Sequence, residues 1–157
     1  MPKDISHELF SHQIFPFLEE TFEKVEGIYL DRGTSLSETL DTISAVEAST
    51  PPIEGGTSIA GHVEHIRFYI RVMNDYMDGV TYEKLDWKQS WLLHTVTDVE
   101  WVELKEKIRD DYQGLLTHLR TFPDWANERR LGDVIGIIAH TAFHIGAIRQ
   151  MAKALKK

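Results

Sequence analysis

Along most of this chain the apolar residues recur every three to four positions and nowhere alternate singly over a strand-length run. The polypeptide can therefore bury them only as packed helices. In the first such segment, from about Asp4 to Leu30, the recurrence passes through Leu9, Phe10, Ile14, Phe17, Leu18, Phe22 and Val25. Pro16 lies inside it. A proline removes one helical donor and clashes with the carbonyl four residues back, which predicts a kink or a restart there. Ser35-Leu36-Ser37-Glu38 has the spacing of a capping box and opens a short run through Leu40 and Ile43, whereas STPPIEGG at 49–56 reads as a loop.

Three longer helical patterns follow. Thr57 or Ser58 caps one that runs to about Asp78 and closes at Gly79, with Ile59, Val63, Ile66, Ile70, Met73 and Met77 as its core stripe. Thr97-Asp98-Val99-Glu100 opens the next, to about Arg120, whose inner face is Trp101, Leu104, Ile108, Tyr112 and Leu115. Pro123 and a turn through Asn127 lead to Asp133, the expected N-cap of a last helix carrying Ile137, Ile138, Thr141, Ile145, Ile148, Ala152 and Leu155. Lys153, Lys156 and Lys157 then put cations at the negative end of its dipole. The expected fold is all-α: one domain over residues 1–157, a four-helix bundle with a kinked first helix and a short extra helix.

A chain of 157 residues can bury roughly 68–70% of its unfolded surface and needs no staple. It contains no cysteine, which removes disulfides, thiolate metal sites, Fe–S clusters and cysteine nucleophiles together; any thiol chemistry would need a co-substrate. The start, MPKDISHELF, lacks the apolar stretch of a signal peptide, and no run approaches the 18 apolar residues of a membrane span, so the expected location is the cytoplasm, without a membrane partner. A net charge of −8 argues against duplex nucleic acid as a partner.

Chemistry is carried by histidine, of which there are eight. At that frequency roughly 0.4 pairs spaced i,i+4 arise by chance, so an H-x-x-x-H is weak by itself. His140 and His144 gain weight from context: one turn apart, both project from one helix face at the edge of the apolar stripe. Such a pair is either a hydrogen-bonded core pair or a metal seat. His62 and His65 on the second long helix can both face inward, and one of them could complete a three-imidazole site that leaves a fourth position for water. His7, His12, His94 and His118 read as surface or capping residues. Trp87, Trp91 and Trp101 could line an entrance or simply pack, and Glu64 and Glu100 could orient a ligand or sit on solvated faces. Neither a zinc-deaminase, zincin, P-loop, G-x-S-x-G nor dinucleotide motif is complete in this sequence.

The segment Thr57 to His65, TSIAGHVEH, together with Ile138 to Gln150, IAHTAFHIGAIRQ, resembles the DinB/YfiT-like superfamily. The resemblance implies a metal-binding four-helix bundle with one ligand at His65, before Ile66, and two at His140 and His144, before Gly146. It further implies a divalent ion, zinc or nickel foremost and otherwise manganese or iron, and a homodimer. The activities implied are those of metal-dependent thiol transferases and isomerases that use low-molecular-weight thiols; the expected function is a metal-dependent enzyme that activates a thiol co-substrate or water, transferase- or hydrolase-like, on a small-molecule substrate. A non-catalytic metal or small-molecule binding or sensing protein is the alternative. Where many members carry Gln after the glycine of the last motif, this chain has Ala147.

Overall fold

The computed structural model describes residues 6–123, 125 and 128–156. Asp4, Asn127 and Lys157, to which the sequence reading assigned a helix start, a turn and a terminal cation, lie outside them. The described residues form an all-helical structure without strands. Four long helices, α1 (His7–Phe22), α4 (Ile59–Met77), α5 (Asp98–Arg120) and α6 (Glu128–Leu155), are joined by short α2 (Leu36–Leu40) and α3 (Ala45–Ser49) and by a 3-10 helix at Trp87–Trp91. Two short helices thus stand where one was expected.

The helix starts follow from local chemistry. The Ser58 hydroxyl accepts the backbone N–H of Gly61 at 3.2 Å. Ser35, Ser44 and Thr97 each anchor a full capping box, with Glu38, Glu47 and Glu100 returning to the cap backbone. Gly79, at φ +81°, ends α4 in the left-handed conformation that a side chain resists.

Three boundaries differ from the sequence expectation. First, α1 continues through Pro16, so of the kink or restart expected there the restart does not occur. Second, α1 stops at Phe22, because the buried carboxylate of Glu20 draws the chain after it into a loop. Its Oε2 accepts from the backbone N–H of Glu26, Gly27 and Ile28 at 3.0, 2.7 and 2.7 Å, and its Oε1 from Tyr29 and Leu30 at 2.6 Å each. Third, α6 begins at Glu128, so Asp133 lies inside the helix rather than capping it. Its carboxylate reaches Arg129 one turn back at 4.0 Å; an acid that resembles a cap in sequence is here a helical neighbour.

Packing centres on α4, which contacts α5 and α6, while α1 lies on α6. The Phe22 and Tyr112 rings stack at 4.4 Å, joining α1 to α5. Arg67 ties α4 to α5 by its bond to Asp111 at 3.2 Å, and a two-pronged contact with Glu64 of its own helix, at 2.7 and 2.9 Å, holds the guanidinium in place. By length and composition α6 could cross a membrane, although His140, Thr141 and His144 interrupt its apolar residues. In this fold Val134, Ile137, Ile145 and Ile148 of α6 are buried in the core.

Candidate metal centre

The histidines meet where the middle of α6 crosses the first two turns of α4. The i,i+4 spacing of His140 and His144 puts both rings on one side of α6, and the three-residue step from His62 to His65 does the same on α4. Across the helix pair, His140 Nε2 lies 3.1 Å from His65 Nε2 and 3.2 Å from His144 Nε2. One ligand-capable nitrogen from each of His65, His140 and His144 lies within 4.8 Å of the others.

Hydrogen bonding alone does not account for this cluster. An imidazole nitrogen carries either one in-plane proton or one in-plane lone pair, so His140 Nε2 can form a proper bond with only one of its two neighbours. Around a tetrahedral ion with nitrogen ligands at 2.0–2.1 Å, the ligand–ligand distance is about 3.3–3.4 Å, close to the separations found here. The donor set could hold a divalent metal ion.

Neighbouring groups fix the rings. The Ser90 hydroxyl donates to the Trp87 carbonyl at 2.6 Å, so toward His65 Nδ1, 2.7 Å away, it can only accept. The proton of His65 therefore sits on Nδ1, and the lone pair on Nε2 faces the other histidines. His62 lies outside the three-histidine group; its Nδ1 is 2.9 Å from Nδ1 of His144, where it holds that ring from behind. Trp91 stacks on His65 at 4.0 Å and meets the edge of His62 at 5.3 Å, while Tyr69 packs against His140 at 4.4 Å. His140 Nδ1 is buried without a hydrogen-bond partner among the described residues.

The electrostatics favour neutral rings. Burial, and then the nearby imidazoles of His140 and His62, push His65 down to about 4. Burial followed by His140, His62 and His65 takes His144 down to about 3. Burial also lowers His62 and His140. At neutral pH the cluster presents lone pairs rather than positive charge, the state a metal requires.

The 3-10 segment reaches this site because α4 lets it come close. A Cβ on Gly61 would stand 2.9 Å from the Leu93 carbonyl oxygen, a contact between backbones that only glycine permits. The strap carrying Trp87, Ser90 and Trp91 thus lies directly over the first turns of α4.

The model of the DinB superfamily matches residues 30–148. The chain belongs to the DinB superfamily. The DinB match leaves α1 outside and takes in both histidine-bearing segments, hence His62, His65, His140 and His144. No curated protein and no solved structure matches this DinB chain.

The remaining sequence candidates divide clearly. Trp101 is a core residue whose Nε1–H donates to the Ile43 carbonyl at 2.8 Å. Glu64 is engaged by Arg67, and Glu100 caps α5. His7 stacks on Trp125, His12 meets Gln13, His118 lies 3.6 Å from Asp78, and His94 is exposed. Sequence reasoning missed Ser90 and Tyr69; no motif marks a serine that acts through its carbonyl and imidazole neighbours.

Proposed function

We propose that this DinB protein is a metal-dependent enzyme in which His65, His140 and His144 hold one divalent ion, zinc or nickel foremost. A low-molecular-weight thiol or a water would be activated there, as in a thiol transferase or a hydrolase. The observation that carries this reading is the convergence of three Nε2 atoms at spacings that hydrogen bonds leave half-satisfied. When bound, an ion with three protein donors lowers the pKa of a thiol or water at its remaining position.

The protein's own groups hold and orient. Ser90 keeps the His65 lone pair on Nε2, His62 backs His144, and Trp91 covers one face of His65 against solvent. Because the chain has no cysteine, a thiol would arrive as a co-substrate. We read the protein as cytoplasmic and acting on a small molecule, with neither nucleic acid nor membrane as partner; its net charge of −8 supports the former exclusion.

The packing of α4 on α5 and α6, of α6 on α1, and the Phe22–Tyr112 stack support reading the four long helices as a four-helix bundle. A homodimer fits the outer face of α1 and α6. A groove of about 380 Å³ there is lined by Phe10, Ile14, Phe17, Ile138 and Ala142, and Phe143, 71% exposed, follows Ala142 on α6. A projecting ring and an apolar hollow on one surface are what a two-fold interface between identical copies needs.

Metal analysis of protein purified without a His-tag tests the central claim. The expected content is close to one equivalent per chain, and less than about 0.2 equivalents after growth with zinc and nickel would overturn it.

A further inference from the structure

A second polar site lies apart from the histidines, where α2 and the turn after it meet the end of α6. The groove there has a volume of about 270 Å³ and is walled by Thr39 and Thr42 on one side and by Arg149, Lys153 and Lys156 on the other. In a chain of net charge −8, three cations line it and, among the described residues, no carboxylate does. Neither Arg149 nor Lys153 has an ion-pair partner among the described residues. Lys156 reaches Glu47 only at 4.0 Å, and that carboxylate is already held by the Ser44 backbone and hydroxyl at 2.8 and 2.9 Å.

The simplest account of such cations is compensation of the α6 dipole. It covers Lys153 and Lys156, which stand in the last turn or beyond it, because that effect fades within one turn. It does not cover Arg149, six residues before Leu155, nor a second observation of a different kind. Thr39 lines the groove and is only 5% exposed, and its shielded hydroxyl has no hydrogen-bond partner among the described residues. Buried hydroxyls are ordinarily paired, which leaves this one free to turn toward the groove. Helical threonine occupies two χ1 wells, and moving between them exchanges the hydroxyl with the methyl group.

We propose that this groove binds the phosphate group of a small molecule. A guanidinium offers a planar fork of donors, two ammonium groups add charge, and the Thr39 hydroxyl, turned toward the groove, adds a neutral donor, while the Thr42 hydroxyl is already spent on the Thr39 carbonyl at 2.8 Å; together they suit a dianion with several acceptor oxygens. The volume is below the roughly 300–1,000 Å³ of pockets for drug-sized ligands, which limits the occupant to inorganic phosphate or a small phosphomonoester. The site is independent of the metal reading, since its lining shares no residue with the histidine cluster.

Titration of the full chain with inorganic phosphate, with glycerol 3-phosphate and with acetate, at constant ionic strength and followed by amide chemical shifts, tests it. Saturable shifts around Arg149 and Thr39 are expected with either phosphate compound and not with acetate, the tighter of the two identifying the source. Replacing Arg149→Gln and Lys153→Gln together should weaken binding at least tenfold, and His144→Ala should leave it unchanged. Thr39→Val separates a ligand role from a structural one: it should keep or raise the melting temperature of the free protein while weakening phosphate binding several-fold. No saturation, equal response to acetate, indifference to the double variant, or a lower melting temperature with unchanged binding in Thr39→Val would each overturn the proposal.

Discussion

His65 donates through Nδ1 to the hydroxyl of Ser90 at 2.7 Å, and that single bond decides which of its nitrogens can serve as a ligand. Removing the hydroxyl frees the ring to change tautomer and to rotate. Outer partners of metal-bound histidines typically contribute 10–100-fold in affinity. Ser90→Ala should therefore weaken metal binding by about that factor, measured by competition with a chromogenic chelator, while far-UV circular dichroism stays unchanged. Unaltered affinity would show that Ser90 does not set the ring.

His144→Ala should abolish stoichiometric metal binding, since two imidazoles remain. The helices, with 29 hydrophobic residues buried among those described, should nonetheless stay folded. The metal-bound protein should exceed its chelated form in stability only by linkage, about 2.7 kcal/mol when free metal is 100-fold above Kd. Loss of cooperative melting in the variant, or in the chelated wild type, would make the ion structural.

Glu20 gives a pH signature unrelated to the histidines. Burial alone would raise its pKa, but backbone N–H groups of Ile28, Leu30, Tyr29 and Glu26 outweigh that and bring it from 4.5 to about 2. A carboxyl depressed in the folded state stabilises it above the unfolded value, and that contribution fades as pH falls from about 4.5 toward 2. Glu20→Gln should cost about 3 kcal/mol at neutral pH, roughly 6–12 °C in melting temperature, because an amide cannot accept from all five donors. The difference from wild type should shrink on acidification; a pH-independent difference would count against the carboxylate.

For Gly61→Ala the sign of the effect is informative. On an open helix face the change would stabilise by nearly 1 kcal/mol. Here the new methyl meets the Leu93 carbonyl, so a loss of about 1–3 kcal/mol in urea denaturation is expected, with an altered near-UV spectrum as Trp91 shifts on His65. A gain in stability would place the strap farther from α4.

Phe143→Asp puts a charge on the face proposed for self-association. Sedimentation should find a dimer for the wild type and a monomer for the variant, and a monomeric wild type at tens of micromolar would remove the dimer reading.

The long helices were legible because periodicity reports a buried face, and the capping boxes at Ser35 and Thr97 fall where their spacing put them. The end of α1 was not, since the five donors to Glu20 come from residues six to ten positions ahead and form no local pattern. At Pro16 the sequence allowed a kink or a restart, and the helix continues without a restart, with Ile14 and Leu18 on either side buried in the core. At the candidate site, spacing along α4 left His62 and His65 as alternatives. Only the packing of α4 against α6 separates the ring that faces His140 from the one that stands behind His144.

The three-histidine group draws one ring from α4 and two from α6, and His65 and His140 stand 75 positions apart. During synthesis His65 emerges well before His140 and His144. A nascent fragment that stops before α6 therefore holds one member of the trio, and the three-nitrogen arrangement is absent from the early steps of folding. The three-donor seat exists only once α6 has docked on α4, and a chain lacking α6 would offer an ion His65 alone of the three.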